Sequence, residues 1–560
     1  MFFVKIFLFL LLAELGYLAK SQRGNIEIVL LHTNDMHARF VETNRRGNVC
    51  HEKDKMAKQC YGGFSRISSK IKQFRKGNND VLFLNAGDTF QGTPAYTIFK
   101  HNITSEMMNL LKFDGISLGN HEFDDDIRGL APYLKDLKVP VLAANIDASG
   151  EPSLTNLKPS IIVTKNHLQI GIIGYLSTDT KFLSKPNKLK YTSEVSAINE
   201  EAKNLRARGA NVIIAVGHAG LTKDIEIAKN CPEVDLIVGG HSHTFLYTGT
   251  PPDIDTPKDN YPVVVTQPSG KKVPIVQAYA YTKYLGYLKL KFNSTGSLLS
   301  WKGQPILLDH TVKQDPVILK VLKKKYLPAI DKYGKRVVGV SRVFLNGDYR
   351  TCRFQECNMG NLLTDAFLYG HVASNQDTNI SKVWTDASIV LYQAGGIRAA
   401  IDVNITGGSI TRHELDNVLP FSGDLSVSPV PGSTLRKALE HAVHRYTLKQ
   451  GYGEFLQVSG LQVVYDLNQD SGSRVKSVKV KCNECSVPRF EELDENRIYN
   501  VIINKFIKDG GDGFEMFKDL EVLKILPDID IEMVDVYIGR LSPIYPAVEG
   551  RIIVKGKPKE

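Results

Sequence analysis

Residues 119–124 (Gly-Asn-His-Glu-Phe-Asp) place an amide, an imidazole and two carboxylates directly after the short apolar run 115–118. In open α/β sheets, the chemistry lies where a buried strand gives way to a loop. The amide oxygen of Asn120 can bind a cation, while His121 can face a substrate and Asp124 can hold its imidazole in one tautomer and orientation. The spacing therefore predicts a His–Asp pair beside a metal ligand.

Other apolar runs of the sequence end in the same way. They are short, rich in β-branched or bulky side chains and closed by glycine or polar residues, as buried strands are. These runs are residues 26–31, 81–84, 212–216 and 236–238. Together with the hexapeptide, the strand ends deliver Asp35, His37, Asp88, Asn120, His218, His241 and His243. One such strand end is commonplace, but a whole series predicts a single site assembled along the sheet.

A ligand set of mixed nitrogen and oxygen type favours a borderline divalent metal such as Zn or Mn over an all-oxygen Ca²⁺ cage. Because these ligands are too many for one tetrahedral ion, we expect two ions that share a bridging carboxylate, supplied by Asp88. Zinc is the expected metal, with Ca²⁺, Mg²⁺ or Mn²⁺ as alternative activating ions. Such a pair of ions activates water and clamps a phosphoryl group, so cationic side chains are expected nearby.

The elements that position these residues follow an α/β order. Strand-like runs alternate with helical stretches near 65–74 and 193–208, which predicts one large domain over residues 22–314. Asp315 and Pro316 suit the N-cap and first position of a linker helix over 315–336. A second domain is then expected over 337–560, with a helix near 433–446 and strands near 461–465 and 474–480.

Composition agrees with two folded domains. The chain has 560 residues, 42% of them hydrophobic and 23% charged, which is ordinary for globular protein and too long for one core. The formal net charge is +10, but the lysines are scattered apart from 323–325. No aromatic–basic motif accompanies them, so we expect no nucleic-acid partner.

The N-terminal 21 residues have the pattern of a signal peptide. A lysine precedes the apolar run 6–13, which is too short for a membrane anchor and is ended by Glu14. The C-terminal residues 555–560 are polar and offer no hydrophobic tail for a lipid-anchor signal. The sequence therefore predicts a secreted protein without a membrane anchor, starting near Gln22.

Cysteines and glycosylation sequons agree with an oxidising, secretory route. The local cysteine pairs are Cys50 with Cys60, Cys352 with Cys357, and Cys482 with Cys485, which leaves Cys231 as a free thiol. The alternative for Cys482 and Cys485 is a metal knuckle or redox motif, although a single CxxC rarely makes a zinc site. The sequon acceptors are Asn102, Asn293, Asn379 and Asn404.

The motifs resemble those of known enzymes. Residues 35–37 (Asp-Met-His), 87–88 (Gly-Asp), 119–124, 217–218 (Gly-His) and 239–243 (Gly-Gly-His-Ser-His) are similar to calcineurin-like metallophosphoesterase motifs. More narrowly, the chain resembles the secreted and cell-surface 5′-nucleotidase family. That resemblance continues through 352–361, 395–398, 419–421, 453–457, Phe506 and 510–514. It implies an α/β protein in which a metallophosphoesterase β-sandwich flanked by helices precedes a mixed α/β domain that binds the substrate.

The resemblance also implies roles for individual residues. One metal ion would be held by Asp35, His37, Asp88 and His243, and the other by Asp88, Asn120, His218 and His241. His121 and Asp124 would form the dyad that stabilises the transition state and assists the leaving oxygen. The substrate would be bound by Arg353 and Arg398 at the phosphate, by Gln393 and Gly396 of the same loop, by Phe421 and Phe506 around the purine, and by Asp512 at the nucleoside. A cleft that closes by domain motion follows from this division.

The sequence departs from the family at its phosphate loop. Membrane-anchored vertebrate members read Asn-Gly-Gly-Gly-Ile-Arg, whereas residues 393–398 read Gln-Ala-Gly-Gly-Ile-Arg. A further arginine that those members carry shortly afterwards is missing, and the next one here is Arg412. A third family disulfide is absent, because Thr364 and Val390 occupy its positions. The first two changes favour a substrate other than AMP.

Secreted members without a lipid anchor include the salivary apyrases of blood-feeding arthropods, which remove extracellular ATP and ADP and so inhibit platelet aggregation. The first hypothesis is therefore an apyrase that converts ATP and ADP to AMP. A soluble 5′-nucleotidase that converts AMP to adenosine is the alternative within the class. A non-catalytic binder, such as a platelet-receptor antagonist, is the alternative of another class, and the intact ligand set and the lack of an Arg-Gly-Asp tripeptide argue against it. The oligomeric state is left open.

Overall fold

The computed structural model describes residues 25–185, 187–374, 383–448 and 450–558. The predicted signal peptide and the sequon at Asn379 lie outside these ranges. No helix in the described ranges is long and apolar enough to cross a membrane.

Two β-sheets form the N-terminal domain. In spatial order, the described strands of the first sheet are Leu298–Lys302, Tyr284–Phe292, Ile26–Thr33, Val81–Ala86, Gly115–Ser117, Val141–Leu142 and Leu157–Lys158, with Ile306–Leu307 also paired to Tyr284–Phe292. Those of the second sheet are Val263–Thr266, Lys272–Val276, Leu236–Val238, Val212–His218, Leu168–Leu176 and Ser160–Lys165. The central strands of each sheet run parallel, so their carboxyl ends share one edge.

The two sheets pack face to face through apolar side chains. Leu30 and Leu84 of the first sheet share one buried cluster with Ile172 and Ile214 of the second. Each fully buried aliphatic side chain of this kind stabilises the fold by about 1.5–3 kcal/mol. The sandwich therefore holds the carboxyl edges of both sheets in one fixed relation.

Helices cover the outer faces of the sandwich. Those with residues in the cluster outside the first sheet are Phe64–Arg75, Pro94–Phe99, His101–Leu111 and Asp126–Asp136. Those outside the second sheet are Glu194–Ala207 and Leu221–Asn230. Shorter elements are the helices Glu52–Met56 and Thr180–Leu183 and the strand pairs Thr43–Asn44 with Cys60–Tyr61 and Ile146–Asp147 with Lys190–Tyr191. The helix–sheet–sheet–helix architecture predicted for this domain is confirmed.

A helical segment joins the two domains. Asp315 is its N-cap, accepting the N–H of Val317 at 2.9 Å, and Pro316 is its first residue. The segment consists of Pro316–Val321, a wide turn at Leu322–Tyr326 and Leu327–Gly334.

The C-terminal domain is mixed α/β, as predicted. Its larger sheet has, in spatial order, Leu456–Ser459, Ile389–Gln393, Ile498–Asn504, Leu425–Pro431 and Lys524–Ile525 among the described strands. Its smaller sheet has Phe490–Glu492, Val475–Lys481, Leu461–Asp466 and Ile552–Lys555. A strand pair, Val337–Val340 with Ser409–Thr411, lies where the domain begins.

Helices of the C-terminal domain pack around these sheets. They are Tyr349–Cys352, Asn358–Ser374, Val403–Thr406, Arg412–Val418, Gly432–Ala442, Lys505–Lys508 and Asp530–Leu541. The helix predicted near 433–446 is shorter than expected. It ends at Ala442 because Val443 leaves helical φ at −123° and its carbonyl accepts from the guanidinium of Arg474.

The three predicted disulfides are present, and Cys231 is a buried free thiol. The metal-knuckle alternative for Cys482 and Cys485 is therefore wrong, because their sulfurs are bonded to each other. Among the described sequon residues, Asn102 and Asn404 are exposed and Asn293 is half-buried.

Candidate active site

The predicted strand ends converge at one edge of the sandwich. Thr33 pairs with Asn85 and Ala86 with Ser117 in the first sheet, while His218 pairs with Leu176 in the second. The side chains that follow these positions therefore lie at the same edge of the sandwich. The sequence prediction of a site assembled from several strand ends agrees with this register.

Left-handed backbone conformations aim many of these side chains inward. The φ angles are 48° at Asp35, 46° at His37, 54° at Asp88, 75° at His241 and 48° at His243. Such conformations cost non-glycine residues on the order of 1–3 kcal/mol each and persist only where the surrounding structure fixes them. Their concentration on five of the seven predicted ligands marks this edge as functional.

Asp35, His37 and His243 form a first buried cluster. His243 Nε2 lies 3.2 Å from Asp35 Oδ1 and 3.0 Å from His37 Nε2. The structure thus brings a carboxylate and two imidazole nitrogens together, although they are 208 residues apart at the extremes, from Asp35 to His243.

Asp88, His218 and His241 form a second cluster. His218 Nε2 lies 2.9 Å from Asp88 Oδ2, and His241 Nδ1 lies 3.0 Å from the side-chain oxygen of Asn120. Asp88 Oδ2 is also 3.6 Å from His37 Nε2 of the first cluster. Asp88 therefore stands between the two clusters, in the position expected of a bridging carboxylate.

The charge states of these groups suit divalent cations. Burial lowers the pKa of His37 and of His243, and lowers that of His241 to about 3, so these imidazoles are neutral and keep a lone pair for a ligand. Burial opposes charge on His218 too, but Asp88 and Asp35 outweigh it and raise its pKa to about 10. His218 Nε2 faces Asp88 Oδ2 at 2.9 Å, so the two buried carboxylates favour a positive charge at this location, which a divalent cation would supply. The mixed carboxylate and imidazole set fits a borderline divalent metal.

His121 and Asp124 are paired beside these clusters. His121 Nδ1 lies 2.7 Å from Asp124 Oδ2, and the backbone N–H of His121 donates to Asp88 Oδ1 at 3.0 Å. Burial lowers the pKa of His121, but the carboxylates of Asp124 and Asp88 outweigh it and raise the pKa overall. Its Nε2 lies 4.0 Å from Asp88 Oδ2 and so faces the clusters.

Two arginines of the C-terminal domain reach this edge. Arg398 Nη2 lies 3.4 Å from His37 Nε2, across the domain boundary. Arg353 Nη1 donates to the carbonyl of Gly451 at 3.4 Å, and its buried Nε has no partner among the described residues. Burial and the nearby Arg398 lower the pKa of Arg353 to about 10. Two neighbouring guanidinium groups with unused donors form a site for an anion.

Phe421 and Phe506, the two aromatic residues predicted to bind the base, have different surroundings. The ring of Phe421 stacks on His121 with 5.1 Å between centroids and 14° between planes. Phe506 is half-buried beside Gly511, and in the described part of the chain no ring contact joins it to Phe421. The structure therefore brings Phe421 to His121, whereas Phe506 lies in the short helix Lys505–Lys508.

The remaining predicted residues lie around the arginine loop. Burial, followed by the charge of Glu454, raises the pKa of Asp512 to about 7, and its carboxylate faces Gly395. Gly396 is packed against Tyr392, so a side chain there would collide with the ring. Arg398 Nη1 donates to the carbonyl of Gly395 at 3.3 Å, so these residues lie together beside Arg398.

Gln393 turns its side chain away from that loop. Its Oε1 accepts from Asn504 Nδ2 at 2.9 Å, and Asn504 is the N-cap of the helix that carries Phe506. Gln393 is thus connected to the Phe506 element through a direct hydrogen bond.

Sequence reasoning named no role for Glu122, yet it organises the site. It is buried and accepts four backbone N–H groups, from Gly119 at 2.6 Å, Thr89 at 2.7 Å, Asp88 at 3.0 Å and Phe90 at 3.1 Å. These bonds fix the turn that carries Asp88. A single sequence holds no signal that separates this carboxylate from a solvated one.

Asn34 and Arg39 were also missed. Asn34 Nδ2 donates to Asp35 Oδ2 at 2.7 Å and to the carbonyl of Tyr279 at 2.6 Å. Arg39 is buried and donates through Nη1 to the carbonyl of His37 at 2.8 Å. Their only sequence signal is their closeness in the chain to predicted ligands.

Comparisons with known proteins agree with this geometry. A calcineurin-like phosphoesterase model matches residues 28–245, and a 5′-nucleotidase C-terminal domain model matches residues 337–519. The chain is 56% identical to the protein 5NUC of Lutzomyia longipalpis over 99% of this chain and 98% of that protein. It is 42% identical to the 5′-nucleotidase of Homo sapiens over 97% of this chain and 93% of that protein. Its fold matches a solved 5′-nucleotidase precursor of Thermus thermophilus with a TM-score of 0.85 and 32% identity, covering 95% and 100% of the two chains. The chain therefore belongs to the 5′-nucleotidase family and is a metal-dependent nucleotide phosphohydrolase.

Proposed function

We propose that this enzyme releases phosphate from nucleoside 5′-monophosphates such as AMP. The observation that carries the proposal is the stacking of Phe421 on His121, with 5.1 Å between the ring centroids. An aromatic surface for a base thus lies directly beside the catalytic imidazole. The short span between them suits a nucleoside linked to the reacting phosphorus without intervening phosphates.

The two clusters would hold a pair of divalent ions, with zinc best suited to the donor set. The residues of one ion are Asp35, His37, Asp88 and His243, and those of the other are Asp88, Asn120, His218 and His241. When bound, such a pair supplies an activated water and neutralises charge on the phosphoryl oxygens. Neutral imidazoles and buried carboxylates support this assignment.

The chain's own side chains bind and orient the substrate around that centre. Arg353 and Arg398 hold the phosphate with guanidinium donors that no carboxylate occupies among the described residues. His121, oriented by Asp124, stabilises the charge that develops in the transition state and gives a proton to the leaving 5′-oxygen. Its position 2.7 Å from Asp124, with Nε2 turned toward the clusters, supports this role.

The nucleoside would lie between Phe421 and Phe506, with Asp512 beside it. Gly396 lets its loop pack closely against Tyr392, and Gln393 acts indirectly by holding the cap of the Phe506 helix. Because Gln393 is hydrogen-bonded to Asn504, replacing the Asn of the vertebrate loop by Gln393 should affect binding of the base rather than binding of the phosphate. The changed phosphate loop is therefore a weaker argument for an apyrase than the sequence suggests.

Hydrolysis of ATP and ADP to AMP is the second candidate. The observation that favours it is the position of Arg412, the first arginine after the phosphate loop. Arg412 is buried in ion pairs with Asp416, Glu532 and Asp535, so it adds no charge at a monophosphate site. A platelet-inhibiting role in saliva would follow only from this second activity. The binder hypothesis is not retained, because the family is enzymatic.

A secreted, glycosylated product is proposed from the predicted signal peptide, the disulfides and the exposed sequon residues. Nucleotides outside the cell would then be the substrates.

The deciding experiment measures phosphate release from AMP, ADP and ATP supplied separately, each with a chelator control. Fast, chelator-sensitive release from AMP with formation of adenosine supports the proposal. Release from ATP and ADP but not from AMP would replace it with the apyrase. Absence of release from all three would refute both.

A further inference from the structure

Asp124 is bonded at both of its carboxylate oxygens. Oδ2 faces His121 Nδ1 at 2.7 Å, and Oδ1 accepts from Ser184 Oγ at 3.0 Å. Among the described residues, Ser184 is the only side chain besides His121 that donates to this carboxylate. A carboxylate held at one oxygen can rotate, whereas one held at both fixes its partner imidazole.

Ser184 belongs to a short segment, residues 177–185, that is anchored at its base in the N-terminal domain. The segment follows the strand Leu168–Leu176. The N–H of Ser177 donates to the carbonyl of His218 at 2.9 Å, and the N–H of Thr178 donates to Glu194 Oε1 at 2.9 Å. These bonds tie the start of the segment to the sheet that carries His218.

The outer part of the same segment meets the C-terminal domain. Asp179 lies 3.5 Å from Arg445 Nη1, and the helix Thr180–Leu183 packs against the turn Gly511–Gly513, which contains Asp512. One short piece of chain therefore contacts the nucleoside-binding domain on one side and the catalytic dyad on the other.

We propose that Ser184 is a positioning residue through which docking of the C-terminal domain fixes the His121–Asp124 dyad. When Arg445 and the 511–513 turn hold the segment, Ser184 Oγ holds Asp124, and Asp124 holds the imidazole toward the leaving oxygen. The inference rests on the proposed function. It adds a mechanical link between the nucleoside-binding domain and the His121–Asp124 dyad.

The first test is Ser184→Ala in the metal-loaded enzyme with AMP. The kcat is expected to fall about 5- to 10-fold with KM within about twofold, as for the loss of one hydrogen bond to a charged group. Ser184→Thr keeps a hydroxyl and should restore kcat to within about twofold. Ser160→Ala is the matched control, because Ser160 also donates to a carboxylate, Glu201, but away from the dyad. A Ser184→Ala enzyme with wild-type kcat would overturn the proposal.

The second test separates positioning from a general structural defect. With p-nitrophenyl phosphate, whose leaving group needs little protonation, the loss in Ser184→Ala should shrink to less than about twofold. Equal losses with AMP and the aryl phosphate would overturn the proposal. A further measurement follows the Nδ1 proton of His121 in the metal-free protein, where its signal is assigned by its absence in His121→Ala. This proton should exchange with water faster in Ser184→Ala than in the wild type. Unchanged exchange would contradict the proposal.

The third test addresses domain docking. Asp179→Asn breaks the contact with Arg445 and should lower kcat for AMP less than Ser184→Ala does. The double variant should lose less than the product of the two single losses, because both act on one element. Fully multiplicative losses would overturn the link to docking. An active wild-type enzyme is the premise of all three tests, so failure of the proposed function would already be evident from phosphate release.

Discussion

The proposed metal-binding half and the proposed substrate-binding half of this site are built in different ways. The clusters around Asp88 emerge from paired strands, and Glu122 fixes their turn with four backbone hydrogen bonds. Arg353, Arg398 and Phe421 lie instead on loops and short helical turns of another domain. The first half is complete within one sandwich, whereas the second half meets it across the domain boundary. Changes in the first half should therefore abolish chemistry, and changes in the second should alter binding.

The largest effect is expected from Asp88→Asn. Asp88 contacts histidines of both clusters, so its loss should lower kcat on the order of 10³-fold for every substrate and reduce bound metal. The measurement is steady-state kinetics together with metal content by mass spectrometry. Asp114→Asn is the control, because Asp114 directly precedes the strand Gly115–Ser117 and forms an ion pair with Arg75 of the helix Phe64–Arg75. Full metal content with full activity would remove Asp88 from the centre.

His121→Ala should come next. Losing a general acid or transition-state donor lowers kcat by about 10²-fold, whereas the clusters keep their own residues and should keep their metal. Kinetics with AMP, metal analysis and the melting temperature test this together. Activity near that of the wild type would show the dyad assignment to be wrong.

Arg398→Ala should act on binding. Removing one guanidinium from the anion site should raise KM for AMP about 10-fold or more. Arg398→Lys should recover only part of the lost affinity, because an ammonium group lacks the planar pair of donors of a guanidinium. Arg350→Ala is the matched control, since Arg350 is already paired with Asp348 at 2.6 Å. A fall in kcat with KM unchanged would place Arg398 with the catalytic half instead.

Phe421→Ala tests base recognition separately from phosphate binding. The loss of one stacking face should raise KM for AMP by about 5- to 20-fold, corresponding to about 1–2 kcal/mol. The KM for ribose 5-phosphate, which has no base, should stay within about twofold. Equal changes for both compounds would argue that Phe421 acts on His121 rather than on the base.

The smallest effect concerns an interdomain pair, His51 with Glu414 at 3.1 Å. The hydrogen bond that His51 donates to Glu414 raises the pKa of His51 above its usual 6.5, against the effect of burial; Asp54 adds to the rise and Lys55 opposes it. The pair should therefore stabilise the protein fully below pH 6.5 and lose that stabilisation as pH rises through the raised pKa.

The corresponding experiment compares the melting temperatures of the wild type and His51→Gln across the range from about pH 5.5 to 8.5. The wild type should be more stable by up to about 1 kcal/mol at the acidic end, with the difference vanishing at the basic end. A difference that grows with pH would contradict the sign of the shift.

The sequence by itself predicted the residues of the two buried clusters that make up the proposed metal-binding half. Apolar runs ending in Asp, Asn or His predicted both the strands and the side chains they deliver, because burial of a strand and termination by polar residues are local properties. The same locality made the disulfides and the Asp315 cap predictable. The helix that begins at Gly432 is shorter than the sequence predicted, because its C-terminal end depends on Arg474, which is distant in sequence.

Only the tertiary structure decided how the halves meet. The stacking of Phe421 on His121, the approach of Arg398 to His37 and the contact of Ser184 with Asp124 join distant parts of the chain. No periodicity records such pairs, since the first two depend on how the two domains dock and the third on how a segment after the strand Leu168–Leu176 packs within the N-terminal domain. Glu122 illustrates the same point within one domain: its residue type is ordinary, and only the folded turn gives its carboxylate four N–H groups to accept.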